Sequence, residues 1–182
     1  EYFRDVPSDD HPAVLGALPE LGHVAFGAGF VVRDGASPLP AFRLVFEAGS
    51  GEQIRQALGD AGAIELDPEL VTALRIEAGR ALWGAELGDD VIPLEAGLLD
   101  RAISTTKGCY VGQEIVIRIL HRGGGRVAKR LVTLAFPPSD EGAPRPEAGA
   151  ALHADGAAAA AGRLTSVAYS PVRGAVVALG YL

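Results

Sequence analysis

The sequence predicts an α+β protein: an antiparallel sheet with helices packed on it, followed by a small C-terminal antiparallel β-barrel or sandwich. Three observations carry this. Two runs rich in Val and Phe flank a Gly/Pro/Ser turn near the start. Two segments with helix-cap signals follow them. Beyond residues 123–128 the texture changes to short strand-like runs separated by Pro, Gly and Asp. That change divides the chain into an expected α+β region, residues 1–125, and a barrel domain, residues 126–182.

The elements follow in order. Residues 1–20 are polar and proline-rich, but "HPAVLGAL" places Ala13, Val14, Ala17 and Leu18 at helical spacing. "HVAFGAGFVVR" (23–33) and "AFRLVFEA" (41–48) read as an antiparallel pair around "DGASPLP". "GEQIRQALGDAG" reads as a helix with Ile54, Ala57 and Leu58 on one face and Gly62 as its stop. At Asp67-Pro68-Glu69 a side-chain cap, a residue suited to the first helical position and a dipole-matched acid coincide. Leu70, Val71, Leu74 and Ala78 make the expected apolar stripe, which ends near Gly79. "VGQEIVIRIL" has β-branched residues, yet Glu114 and Arg118 are spaced i,i+4; the expectation is a helix starting near Gly112. "RLVTLAF", "AALHA", "AAAAGRLTSVAYS" and "GAVVALGYL" are the barrel's strand candidates. "PPSDEGAPRPEAG" (137–149) is a long loop among them.

Composition narrows the function classes. With 48% hydrophobic and 21% charged residues in 182, the chain has a globular composition. It has no apolar run long enough for a membrane span, and its polar, acidic start gives no expectation of a signal peptide. A net charge of −7 disfavours nucleic acid as a primary partner. The single cysteine allows no internal disulfide and fits a reducing compartment, most simply the cytoplasm. The absence of Met leads us to expect that the sequence begins inside a longer protein or after residues lost to processing. No HExxH, paired CxxC or GxSxG pattern is present, so zinc-protease, zinc-ribbon and serine-hydrolase readings lack support.

Three places carry candidate chemistry. The first is "KGCYVGQE", Lys107 to Glu114. Its Cys109 is either a small buried hydrophobe or a reactive thiol. Gly108 and Gly112 permit unusual backbone angles, and Lys107 and a nearby helix start would stabilise a thiolate. The second is Glu77 in "LRIEAGR". It either pairs with Arg75 or Arg80, or accepts two parallel hydrogen bonds from a heterocycle with adjacent N–H donors. The third is Glu95 in "PLEAGL", which is either solvated or aimed into a cleft. Beside these, 105–131 holds six basic residues and one acid, Glu114: a solvated face or a local anion site. "RGGGR" (122–126) reads as an interdomain turn rather than a phosphate cradle.

"ALRIEAGRALWGAELGDDVIPLEAGL", "KGCYVGQE" and "GRLTSVAYSPVRGAVVALGYL" together resemble the YgfZ-type folate-binding proteins, relatives of the glycine-cleavage T-protein, an aminomethyltransferase. The likeness runs from about His11 to the end. It implies a T-protein-like fold, with a ferredoxin-like sheet and a C-terminal barrel, in a ring whose channel binds tetrahydrofolate. It implies that Glu77 is the pterin-binding glutamate, that Arg75, Glu95 and Lys107 lie at the folate site, and that Cys109 is functionally important. Gly108, Tyr110, Gly112, Gln113 and Glu114 complete that motif. The YgfZ branch supports assembly or repair of iron–sulfur proteins, which would be its clients. The turn "RDGASPLPAF" lacks the Gly-Tyr-Thr-Gly-Glu segment of T-proteins, and T-proteins lack the cysteine signature; both departures favour YgfZ. The superfamily's N-terminal region, which holds the T-protein's catalytic aspartate, is not in this chain.

Three functions follow as expectations. The first is a tetrahydrofolate-binding accessory protein for iron–sulfur enzymes. The alternative is a folate-dependent aminomethyltransferase, and the third is a folate-binding module without chemistry.

Overall fold

The computed structural model describes residues 11–34, 39–137 and 145–182. Most of the residues 34–40 turn and the body of the 137–149 loop, both expected from sequence, fall outside the described residues, as does the chain's start. The chain forms two compact units, residues 1–74 and 75–182.

The first unit contains α1 (His11–Ala17), a sheet of β1 (His23–Phe26), β2 (Gly29–Asp34) and β3 (Ala41–Val45), and α2 (Gly51–Asp60). The strands pair antiparallel in sequential order. "HVAFGAGFVVR", expected as one strand, is therefore a hairpin. Phe26 faces Gly29 across a two-residue turn in which Gly27 takes φ +58°, a conformation an L side chain rarely adopts. At Gly29 a Cβ would collide with the Val45 carbonyl oxygen, so the close approach of β3 also demands glycine. Val24 and Val31 are register partners and both are buried, which makes one face of the hairpin apolar.

α2 and α3 (Pro68–Glu77) show their expected ends. The Asp67 carboxylate accepts the Glu69 N–H at 2.7 Å. After α2, the Ala63 N–H donates to the Leu58 carbonyl and Gly62 N–H to Gly59, with Gly62 at φ +92°. Arg80 to Arg75 and Gly79 to Ile76 repeat that pattern after α3. Each is the paired closure that satisfies a helix's last carbonyls through a left-handed glycine. The stripe of α3 differs from expectation: Val71 is exposed, whereas Ala73 and Ile76 are buried. The division between the units falls within this helix, after Leu74.

The second unit holds the end of α3, α4 (Leu99–Ala102), α5 (Gln113–His121), β4 (Leu131–Phe136), β5 (Ala151–His153), β6 (Ala160–Ser170) and β7 (Ala175–Tyr181). All four strand candidates of the C-terminal region are strands, and the texture change near 123–128 separates α5 from β4. They form one antiparallel sheet, order β4-β7-β6-β5. β7 is central and its last five residues are all buried. Its Val177 and Leu179 pack with Ile76 of α3 as the core, flanked by Leu131 and Ala168. These pairings establish a mixed α/β protein with two antiparallel sheets. Barrel closure and a ferredoxin-like arrangement go further than the strand pairings among the described residues.

Candidate functional site

Three clusters hold the candidate residues, all within the second unit. In the first, α3 delivers Arg75 and Glu77 from its last turn. The Glu77 side chain is only 8% exposed. Among the described residues nothing donates a hydrogen bond to it; its ion-pair partner is Arg173, whose Nε lies 3.8 Å from Oε1. That distance is beyond hydrogen bonding. The pairing of Glu77 with Arg75, one of the two local salt bridges the sequence allowed, is absent. The Arg75 guanidinium donates to the Arg80 carbonyl at 2.7 Å, to Glu86 Oε2 at 2.9 Å and to Ser166 Oγ at 2.8 Å. Glu77 is thus an enclosed carboxylate with unused acceptor capacity, which is rare and calls for a partner.

Sequence reasoning missed Glu86, which is 1% exposed. Its Oε2 accepts from Arg75 and from the Leu82 N–H at 3.0 Å. Its Oε1 meets the hydroxyls of Thr165 at 2.8 Å and Ser166 at 2.5 Å. Adjacent residues of a regular strand point to opposite faces, so two neighbouring hydroxyls should not reach one oxygen. Here the β6–β7 register shifts between Leu164 and Ser166, and this bulge turns Thr165 toward the same carboxylate. Burial pushes the Glu86 carboxyl up. The bonds from Ser166, Leu82 and Thr165 and the Arg75 charge outweigh it and hold the group below the usual carboxylate range. No local motif announces Glu86; its hydroxyl partners lie 79 and 80 residues away in sequence.

Glu95 is buried rather than solvated. Its Oε2 accepts the Ile92 N–H at 3.3 Å and lies 3.8 Å from Lys129 Nζ. The Lys129 ammonium also sits 4.9 Å above the Tyr181 ring. Tyr181 donates to the Glu86 carbonyl at 3.0 Å. Burial, then the charges of Glu95, Glu86 and Asp90, push its phenol up to about 12. A cavity of about 610 Å³ lies beside this cluster, lined among others by Asp90, Lys129, Arg163 and Tyr181.

The third cluster is "KGCYVGQE". α5 begins at Gln113, and Gly112 caps it with φ +85°, so a glycine is required there. The Gln113 side chain reaches back to accept the Tyr110 N–H at 3.3 Å. Glu114 occupies the first turn, where its charge suits the helix dipole. Cys109 is exposed, so packing does not explain it. Lys107 is exposed, its ammonium 4.8 Å above the Tyr110 ring. Gly108 has no left-handed angle and open space around it. The "RGGGR" amides close α5: the Arg122 and Gly123 N–H groups donate to the Arg118 carbonyl, and Gly125 to Ile119. A phosphate cradle would need those same donors. Among the described residues no His, Cys, Asp and Glu gather into a metal-binding group, and no helix is long and apolar enough to cross a membrane.

The chain is similar to two kinds of curated protein. An aminomethyltransferase of Nostoc sp. is 32% identical over 92% of this chain and 43% of its own length. A tRNA-modifying protein YgfZ of Yersinia pseudotuberculosis is 30% identical over 70% of this chain and 36% of its own length. The chain belongs to the T-protein superfamily. It spans less than half the length of these relatives. The aminomethyltransferase T of the Bartonella henselae glycine cleavage system shares its fold, with a TM-score of 0.72 over 93% of this chain and 47% of that one, at 21% identity. No family model matches the chain.

Proposed function

We propose that this T-protein-superfamily chain is part of a tetrahydrofolate-binding accessory protein of the YgfZ branch. In this reading it supports assembly or repair of iron–sulfur proteins, with Cys109 as its reactive thiol. The observation that carries folate binding is Glu77: enclosed, ionisable and without a hydrogen-bond donor among the described residues. A pterin edge supplies two parallel N–H donors, which one carboxylate accepts in bidentate fashion. The exposed thiol of "KGCYVGQE" supports the YgfZ branch over the aminomethyltransferases. We assign Arg75 and Glu95 to the frame behind the ligand, because their polar atoms are committed to Glu86, Ser166, Ile92 and Lys129. Lys107 keeps its place as a candidate folate contact. We further propose that the four-stranded sheet is part of the superfamily's C-terminal barrel. The YgfZ relatives are named for tRNA modification; at a net charge of −7, a protein client is the better partner for this chain than the nucleic acid itself.

One observation favours a second reading, a folate-dependent aminomethyltransferase: the match to the Nostoc aminomethyltransferase covers more of this chain than the match to YgfZ. The two readings share the folate site and differ in what is done there.

Calorimetric titration of tetrahydrofolate into the full-length protein tests the shared part. Glu77→Ala is expected to weaken binding at least about 100-fold, the scale of two lost charge-assisted hydrogen bonds. A wild type that binds no tetrahydrofolate would sink the reading.

The basic stretch gives a second expectation. Lys129 is occupied by Glu95 and Tyr181, whereas Arg122 and Arg126 are exposed just beyond α5. Replacing both with Ala is expected to cost a pentaglutamyl folate about fivefold to tenfold more affinity than a monoglutamyl one, the scale of two exposed charge pairs. Equal losses for the two ligands would show that the tail does not reach them.

A further inference from the structure

The cavity of about 610 Å³ in the second unit stands apart from the folate reading: none of Glu77, Lys107 and Cys109 lines it. Its size falls in the range of small-molecule sites. Much of its wall is Gly and Ala, so few side chains fill it. At Gly162 a Cβ would collide with the Tyr181 carbonyl oxygen, so that part of the wall has to stay bare.

Four ionised side chains line the cavity: Glu86, Asp90, Lys129 and Arg163. Two of them have partners. Glu86 holds Arg75 at 2.9 Å, and Lys129 faces Glu95 at 3.8 Å. One charge of each sign is left over. Among the described residues neither the Asp90 carboxylate nor the Arg163 guanidinium has a hydrogen bond or an ion pair, with each other or with any other group. The backbone positions both. Asp90 sits in a turn that the Val91 N–H closes onto the Gly88 carbonyl at 3.2 Å. Arg163 of β6 is the register partner of Tyr181 of β7, so both side chains leave the same face of the sheet. This balance selects the ligand. A net anion such as phosphate would meet Asp90 as well as Arg163, and a net cation would meet the reverse. A flat aromatic ring would find a poor stacking platform, because Tyr181 is the one aromatic residue of the lining and carries the Lys129 ammonium 4.9 Å above its ring. A molecule with one carboxylate and one ammonium satisfies both unpaired groups.

We propose that this cavity is a binding site for a zwitterion, an amino acid or a short peptide, whose carboxylate pairs with Arg163 and whose ammonium pairs with Asp90. The bare wall makes little demand on side chains, so recognition rests on the two charged ends.

The test is calorimetric titration of the full-length protein with two probes, L-glutamine and triglycine. The tighter of the two identifies the length of the ligand, and its N-acetylated and C-amidated forms then examine each end. Acetylation removes the ammonium; it is expected to weaken binding to wild type about fivefold, the upper scale of an exposed charge pair, and to cost nothing in Asp90→Asn. Amidation removes the carboxylate; it is expected to cost about the same in wild type and nothing in Arg163→Gln. Both residues are exposed, so both variants are expected to melt with wild type. Blocking penalties of equal size in wild type and in the matching variant would overturn the proposal. So would inorganic phosphate binding more tightly than either probe, or the failure of both probes to bind at millimolar concentration.

Discussion

Replacing Glu86 with Ala is expected to lower the melting temperature by on the order of 10 °C or more, the largest stability effect of any single change at these clusters. Among the described residues Glu86 is the only carboxylate paired with the Arg75 guanidinium, whose side chain is 17% exposed. Removing it leaves that charge without its counter-ion and the Ser166 hydroxyl and the Leu82 N–H without their acceptor, while Thr165 keeps the Leu179 carbonyl. Breaking a buried, hydrogen-bonded ion pair by deleting one partner costs about 3–5 kcal/mol, because the other partner stays buried and uncompensated. Glu86→Gln keeps the shape and one acceptor oxygen, so a smaller loss is expected. The two variants also differ in their response to acid. The folded-state carboxyl is held low, so its contribution is complete above the ordinary carboxylate pKa of about 4.3 and is lost as pH falls through the folded value. The stability gap between wild type and Glu86→Gln should therefore be widest near neutrality and should close as pH drops below about 4. Urea midpoints measured from pH 7 to pH 3 check this. A gap that does not change with pH, or a Glu86→Ala protein that melts within 2 °C or so of wild type, would show that the network does not hold the sheet.

The same network marks the limit of what the sequence discloses. Helix ends were legible because their chemistry is local. Asp67-Pro68-Glu69 starts α3, and Gly62 and Gly79 close two helices through bonds spanning five residues. The four C-terminal strands were legible from β propensity and turn residues. The β1–β2 hairpin was not, because "FGAG" offers small residues that fit a strand with a close neighbour as well as a turn. Only the positive φ of Gly27 decides between them. Ile76 escaped the predicted stripe because Arg75 and Glu77 flank it, yet it is the most buried residue of its helix. Glu77 was singled out through its motif, but its ion-pair partner Arg173 lies 96 positions further along the chain, since 173 − 77 = 96. Glu86 had no signal at all, because its environment is assembled from a helix end and a strand bulge far away in sequence. Fold elements are written in neighbours; enclosed polar sites are written in contacts that only the folded chain brings together.

Cys109→Ala is expected to change almost nothing that can be measured on the purified protein and to abolish rescue of cells that lack the gene. The physical half follows from exposure. The thiol stands on a loop that Gly112, Gln113 and the Ser104 side chain hold without its help. Such surface substitutions fall within about 0.5 kcal/mol, so the melting temperature should not move measurably. Tetrahydrofolate affinity should also hold, because the proposed acceptor for the ring, Glu77, lies on a different element. The functional half follows from chemistry. A thiol is a weak hydrogen-bond partner and adds little to a solvated loop, so the proposed role rests on nucleophilic or metal-ligand reactivity. One cysteine per chain cannot hold an iron–sulfur cluster without ligands from a partner, so the reading requires a client whose own residues complete the contact. Cys109→Ser separates the two roles an oxygen could imitate from the one it could not. The hydroxyl keeps size and hydrogen bonding but loses thiolate reactivity, and Ser should fail as Ala does. Full rescue by either variant would remove the thiol from the mechanism and leave a folate-binding protein whose work is done elsewhere.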